Sequence, residues 1–497
     1  MTKVAVIGAG FGGLALAVRL QSAGFNVTLI EGRDKPGGRA YVYEDEGFTF
    51  DAGPTVITDP GCIEELFALS GRKLDDYAPL MPVSPFYRLC WEDGDVFDYV
   101  NDQAQLDAQI AKKNPADVEG YKRFLKFSEE VYQEGYVKLG HVPFLSFASM
   151  IAAAPDLMRL QAFRSVYDRV CGFVQDDHLR QALSFHTLLV GGSPFAASSI
   201  YALIHALERR GGVWFAKGGT NALVKGLARL FADLGGALRL SDPVQQITTA
   251  NGLTTGVIHA DGTAEAFDAV ASNADIVHTY GTLLSADARG RSVAKKLRRR
   301  RFSPSLFVLH FGLKTQHPNL KHHTICFGPR YKGLIDEIYG KPQLANDFSL
   351  YLHSPCATDP SMAPPGCSTH YALSPVPHLG TAPIDWAVEG PKYRDKILSY
   401  LEDHYIPNLR ADLVTCRIFT PKDFETELNA YQGSAFSLEP VLTQSAWFRT
   451  HNRDDVIPNL YFVGAGTHPG AGVPGVVGSA KATAGLMIAD LKAAATA

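Results

Sequence analysis

The chain has 497 residues, 46% of them hydrophobic and 20% charged, which is too apolar for a disordered protein. That length suits roughly two to four domains, each able to bury a core without staples. Lys and Arg number 47 against 51 Asp and Glu, and the resulting charge of −4 excludes a global electrostatic case for nucleic acid.

Val4 to Val18 is fifteen residues without charge, superficially a signal peptide, but it carries four glycines in fixed phase. The spacing predicts a buried strand at Val4-Ala5-Val6-Ile7 and a helix carrying Leu14, Ala17, Val18 and Leu20, stopped by Gly24. A second strand follows at Val27-Thr28-Leu29-Ile30, so the N-terminus is a βαβ unit. Its turn, Gly8-Ala9-Gly10-Phe11-Gly12-Gly13, matches G-x-G-x-x-G between strand and helix. There Gly8 permits the tight turn and Gly10 lets the backbone approach a pyrophosphate. Gly13 lets the helix pack against the strand. The helix N-terminus presents free N–H groups to phosphate. Glu31 ends the second strand, where its carboxylate accepts from ribose hydroxyls and repels a 2′-phosphate, which disfavours NADP. Next come Gly37-Gly38-Arg39, whose Arg reaches towards a pyrophosphate, and Gly47 to Gly53-Pro54-Thr55, whose turn exposes backbone donors.

The middle of the chain is less patterned. Val142 to Pro155 is uncharged and carries Phe144, Leu145, Phe147, Met150 and Ile151; it reads as an interfacial helix or a buried one. Gln181 to Leu207 is uncharged over 27 residues, but Gly191-Gly192-Ser193-Pro194 breaks it into two shorter helices rather than one spanning helix. His186 and His205 within it read as satisfied core histidines. A helix at Ala222 to Leu234 and strands at Ala237 to Ile247, Gly256 to His259 and Ala266 to Ala271 follow. Lys295 to Arg301 holds six positive charges in seven residues, a solvated basic face or a seat for anionic headgroups. Strands are expected at Ser305 to Leu313 and Tyr371 to Val376. Asp336 sits among Leu334, Ile335 and Ile338, either facing a tunnel as a proton acceptor or facing water beside Glu337.

No metal site is expected. The cysteines (Cys62, Cys90, Cys171, Cys326, Cys356, Cys367, Cys416) form no C-x-x-C pair, and Lys321-His322-His323 with Cys326 fits no familiar ligand set. Their odd number argues against a disulfide framework and for a reducing cytoplasm. A second glycine-rich strand-to-helix passage closes the chain, Leu460 to Val463 followed by glycines and a helix from Val476 to Leu491.

The run from Glu31 through Gly38-Arg39 to Gly53-Pro54-Thr55 resembles the FAD-binding N-terminus of the amine oxidase, protoporphyrinogen oxidase and carotenoid desaturase superfamily. Asn459 to Val473, with Gly191 to Ser199, Phe327-Gly328-Pro329-Arg330 and Pro375 to Gly380, resembles the bacterial-type phytoene desaturases, nearest the enterobacterial lycopene-forming members. The resemblance implies an α/β fold: a Rossmann-like FAD-binding domain, discontinuous in sequence, plus a substrate domain of mixed sheet and helices. The boundaries expected are 1–84, 211–290 and 436–497 for the first, and 85–210 and 291–435 for the second. It implies FAD contacts from Gly8, Gly10, Gly13, Glu31, Gly38, Arg39, Pro54, Thr55, Val244, Asn273, Gly466 and Val473. It further implies phytoene as substrate, a peripheral place on the cytoplasmic membrane and quinone or oxygen as electron acceptor. Rival readings are a carotenoid isomerase, another flavin oxidase of the superfamily, and a prenyl-binding protein of the GDP-dissociation-inhibitor type. The last would lack the pyrophosphate glycines, all of which are present here.

Overall fold

Five short strands lie parallel in the order Leu460–Phe462, Ala269–Ser272, Lys3–Ile7, Asn26–Ile30, Ala237–Arg239. They belong to a computed structural model that describes residues 2–496. The first strand has no polar face because both its faces are covered. Val4 and Val6 pack with Leu14, Val18 and Leu227, under the helices Phe11–Ser22, Thr220–Asp233 and Val473–Thr496. Ala5 and Ile7 point the other way, onto Ile247 and Val257 of an antiparallel layer, Val244–Ala250, Leu253–His259 and Ala264–Ala266.

A second, seven-stranded sheet runs Leu413–Phe419, Ser305–Leu313, Ser368–Val376, Leu350–His353, His323–Phe327, Tyr87–Trp91, Val96–Tyr99. Only the pair His323–Phe327 and Tyr87–Trp91 is parallel. Alternation along Ser305–Leu313 sends Phe307, Leu309 and Phe311 under the helix Trp386–His404. Leu306 and Val308 face the opposite side, where a large cavity lies. Thus one face of the mixed sheet looks at the carboxyl ends of the parallel strands, the place where open α/β sheets bind ligands.

Two adjustments to the sequence pattern stand out. The strand expected over Ala237 to Ile247 is broken by Ser241, at φ 54°, and Pro243, so Ala237–Arg239 and Val244–Ala250 join different sheets. Gln181 to Leu207 forms the end of a helix at Asp177–Ser184, a 3-10 turn at Phe185–Val190 and the helix Leu203–Gly211. Gly191, at φ 78°, ends the 3-10 turn. Among the described residues no helix is long and apolar enough to cross a membrane.

Candidate functional site

The cavity, about 710 Å³, begins at the glycine turn. The Phe11–Ser22 helix has Gly10 at its N-cap and no side-chain cap, which leaves its first N–H groups free for an anion. Gly8 turns the chain at φ 93°, and a Cβ on Gly13 would stand 1.9 Å from the Gly8 carbonyl oxygen. Gly8 and Gly10 line the cavity while Gly13 provides the close helix–strand packing. Gly12, which the sequence reading left without a role, also lines it; a Cβ there would fall 2.6 Å from Asn273 Oδ1 and 3.2 Å from Gly464 Cα. Asn273 follows the Ala269–Ser272 strand, and its Nδ2 donates to the Gly8 carbonyl at 3.2 Å.

Glu31 is buried at the end of the second strand. One carboxylate oxygen accepts from the Ala9 N–H at 2.8 Å and the other from the Arg33 N–H at 3.0 Å. These bonds aim it at the cavity rim beside Val244, the first residue of its strand. Gly38 and Arg39 face the same space. Arg39 Nη2 donates to the Ser434 carbonyl at 3.3 Å, but its buried Nε has no partner. Burial lowers its pKa, opposed by the nearby carboxylate of Asp275. Asp275, in turn, caps the N–H groups of Val277 and His278.

Pro54 and Thr55 line the cavity further along. Thr55 Oγ1 lies 2.8 Å from both the Tyr351 and the Tyr371 hydroxyls, and Tyr371 donates to the Gly53 carbonyl. The loop is therefore bolted to the mixed sheet. From the C-terminus, Gly464, Gly472 and Val473 line the cavity. Gly466 does not; it packs under the loop, where a Cβ would stand 3.1 Å from Ile276 Cβ.

These features fit FAD. Glycines without room for a Cβ, an uncapped helix terminus and an unpartnered buried guanidinium nitrogen suit a diphosphate. Glu31 suits the ribose. The rest of the wall is apolar, including Phe185, Leu188, Leu203, Ile325, Leu334 and Leu373.

Asp336 is a correction. Its side chain is 57% exposed, 2.9 Å from Lys332 Nζ, and it does not line the cavity. Its neighbours Leu334, Ile335 and Ile338 do, because helical phase turns position 336 to the opposite side. It takes the water-facing alternative, not the proton-acceptor one.

Five of the buried histidines fall in two clusters. His205 is satisfied on both nitrogens, by Tyr99 at 3.1 Å and the Leu183 carbonyl at 2.9 Å. His186 Nε2 meets Glu208 Oε2 at 3.1 Å, while its Nδ1 has no partner. Elsewhere His353, from an adjacent strand, joins His322 and His323, with one nitrogen of each within 4.8 Å of the others. Burial pushes His322 down to about 3 and the other two well below the usual histidine range, so all three are neutral. Chain spacing around Cys326 did not disclose this trio, because strand pairing assembles it.

The chain matches the flavin containing amine oxidoreductase family over residues 11–488. It is 65% identical to a lycopene-forming phytoene desaturase of Pantoea ananas, covering 99% of this chain and 100% of that one. A second lycopene-forming phytoene desaturase, from Pseudescherichia vulneris, is 64% identical over the same shares. Among solved structures, a cyclohexylamine oxidase of Brevibacterium oxydans has the same fold, with a TM-score of 0.63 at 16% identity and 99% coverage of both chains. With a glycine turn, a buried carboxylate at the end of the second strand and a family match over residues 11–488, the chain belongs to the flavin-containing amine oxidoreductase family.

Proposed function

We propose that this FAD-dependent oxidoreductase desaturates phytoene to lycopene. The observation that carries the reading is the full-length 65% identity to a lycopene-forming enzyme, joined to one cavity that is polar at the glycine turn and apolar beyond it. FAD, when bound, supplies a hydride acceptor at flavin N5. The protein's own part is to hold the ends of the cofactor with Glu31, Arg39 and the glycine turn. It also lays an unfunctionalised polyene along an apolar wall, so that shape rather than hydrogen bonding selects the substrate. Ala471, Val473 and Pro474 line the cavity at the C-terminal loop, where an amine oxidase would often frame the flavin with paired aromatics.

Residues 1–84, 211–290 and 436–497 hold the cofactor in this reading, and 85–210 with 291–435 hold substrate and membrane. In support, all five parallel strands come from the first set and all seven mixed strands from the second. Phytoene dissolves in lipid, so the chain works peripherally on the cytoplasmic membrane. Supporting this, Phe147, Ile151, Met158 and Phe163 stand 51–63% exposed on and just after the helix Phe147–Arg159, which buries only Ala153. Phe144, Met150 and Leu157, from the same stretch, line the cavity, so this surface adjoins the way in. Electrons leave to quinone or oxygen.

Protein reconstituted with FAD and phytoene-loaded liposomes tests the reading by chromatography and visible absorbance. Lycopene formed only with FAD is expected. Bound flavin with unchanged phytoene would overturn it.

A further inference from the structure

Desaturation removes a hydride from one carbon and a proton from its neighbour, and that proton needs an acceptor within reach of the apolar wall. Four carboxylates line the cavity among the described residues: Glu31, Glu208, Asp275 and Glu427. Three stand at the cofactor end, where Asp275 keeps one buried oxygen, Oδ2, without a hydrogen bond but beside the Arg39 cation. Glu31 accepts two backbone N–H groups, Asp275 caps Val277 and His278, and Glu427 pairs with Arg33 at 3.0 Å.

Glu208 is the fourth. It lies on the helix Leu203–Gly211 beside Leu203, Ile204 and Leu207 of the apolar wall, and is 0% exposed. No Lys or Arg ion pair reaches it among the described residues; its one ion-pair partner is His186. The Tyr87 hydroxyl donates to Oε1 at 2.6 Å, and His186 Nε2 lies 3.1 Å from Oε2. Tyr87 also lines the cavity and is itself fully buried. Against Tyr87 pack His323 and Tyr351, which bond each other at 2.6 Å and leave His323 Nε2 without a partner. His205 bonds Tyr99 and the Leu183 carbonyl, and Tyr121 stands beyond Tyr99. Arg209 reaches the Val100 and Asn101 carbonyls and Gln103. Burial raises Glu208 to about 7, with His205 and the Tyr87 hydrogen bond opposing the shift. A group with that pKa both accepts and releases a proton near neutrality.

We propose that Glu208, through Tyr87 at the cavity wall, takes up the proton released at each desaturation. This rests on the desaturase reading above. In the step, a C–H bond at the allylic carbon breaks and its electron pair leaves as hydride to FAD. The C–H bond on the neighbouring carbon then breaks, and its electron pair forms the new C=C bond. Its proton passes to the Tyr87 oxygen as the Tyr87 hydroxyl proton moves to the Glu208 carboxylate. The substrate loses two electrons, FAD gains them, and Glu208 ends as a carboxylic acid. A carbon next to an allylic cation is a strong acid, so a carboxylate of ordinary basicity is sufficient.

The test compares the full chain and its Glu208→Gln variant, both loaded with FAD, on phytoene liposomes between pH 5.5 and 8.5. The carboxylate form is the active one. Wild-type turnover is expected to rise about tenfold per pH unit below about 7 and to level above it. The variant should keep its flavin absorbance, lose about 100-fold or more in rate, and lose the inflection near 7. Should Glu208→Gln fail to load flavin, Tyr87→Phe, which removes one oxygen, is measured the same way and is expected to show a similar loss. Either variant at the wild-type rate with an unchanged pH profile overturns the inference. A wild-type chain that loads flavin and leaves phytoene untouched overturns the desaturase reading, and this inference with it.

Discussion

The side-chain amide of Asn273 donates to the carbonyl of Gly8 at 3.2 Å, joining residues 265 positions apart. This bond ties the end of one parallel strand to the turn that opens the first helix. Asn273→Ala should weaken FAD binding about fivefold, the effect of roughly 1 kcal/mol for a lost hydrogen bond. Fluorescence titration of the apoprotein with FAD checks it; unchanged affinity would remove Asn273 from the cofactor site.

Gly13 tests the close packing of the first helix. Its Cβ would meet the Gly8 carbonyl oxygen at 1.9 Å, so Gly13→Ala forces the backbone apart. The variant should melt several degrees lower and hold no flavin. Gly485→Ala is the control. It lies in the Val473–Thr496 helix with nothing within 4 Å of the added carbon, and should gain about 0.5–1 kcal/mol.

Glu31→Gln keeps the size of the side chain and removes its charge. Its two backbone donors, Ala9 and Arg33, bond different oxygens, so one of them then faces the amide –NH2 and loses its acceptor. Hydrogen bonds to charged groups contribute about 1.5–3 kcal/mol, so FAD affinity should fall about 10- to 100-fold. Isothermal titration with FAD measures it.

Acid should destabilise the fold through its buried histidines. Burial depresses His186, His205, His322 and His370 to about 3, and His310, His378 and His468 to about 4. A depressed histidine stabilises the fold fully above its unfolded pKa of about 6.5 and loses that contribution as pH falls towards the folded value. Asp51 and Glu208, both raised to about 7, act oppositely: their contribution is full below about pH 4 and is lost as pH rises through 7. Seven histidines outweigh two carboxyls, so the melting temperature should drop steadily from pH 6.5 to 5. A flat profile over that window would contradict the buried neutral state.

Replacing Phe147, Ile151, Met158 and Phe163 together by Ser should abolish flotation with liposomes while leaving flavin binding intact. Each of these side chains contributes about 1.5–3 kcal/mol when fully removed from water, so even partial insertion of four makes the loss at least about 100-fold. Retained flotation would move the membrane contact elsewhere, with the basic run at Lys295–Arg301 next in line.

Local chain chemistry was enough to place the glycine turn and its βαβ fold. G-x-G-x-x-G, the strand before it and Glu31 after it lie within 31 residues, and their geometry is set by backbone sterics and a single βαβ unit. The doubled apolar phase of Val4–Ile7 likewise announced a sheet covered on both faces. The roles of Gly12 and Gly464 required the fold, because each is defined by its approach to Asn273. The proton-handling group also lay beyond the sequence. Asp336 looked suitable because its neighbours are apolar, yet helical phase turns it into water. Glu208 opens the charged run Glu208-Arg209-Arg210, yet it is sealed against Tyr87 and His186 from two other elements. Whether a carboxylate is a surface charge or a buried base depends on what packs against it, and those partners come from parts of the chain that meet only when it folds.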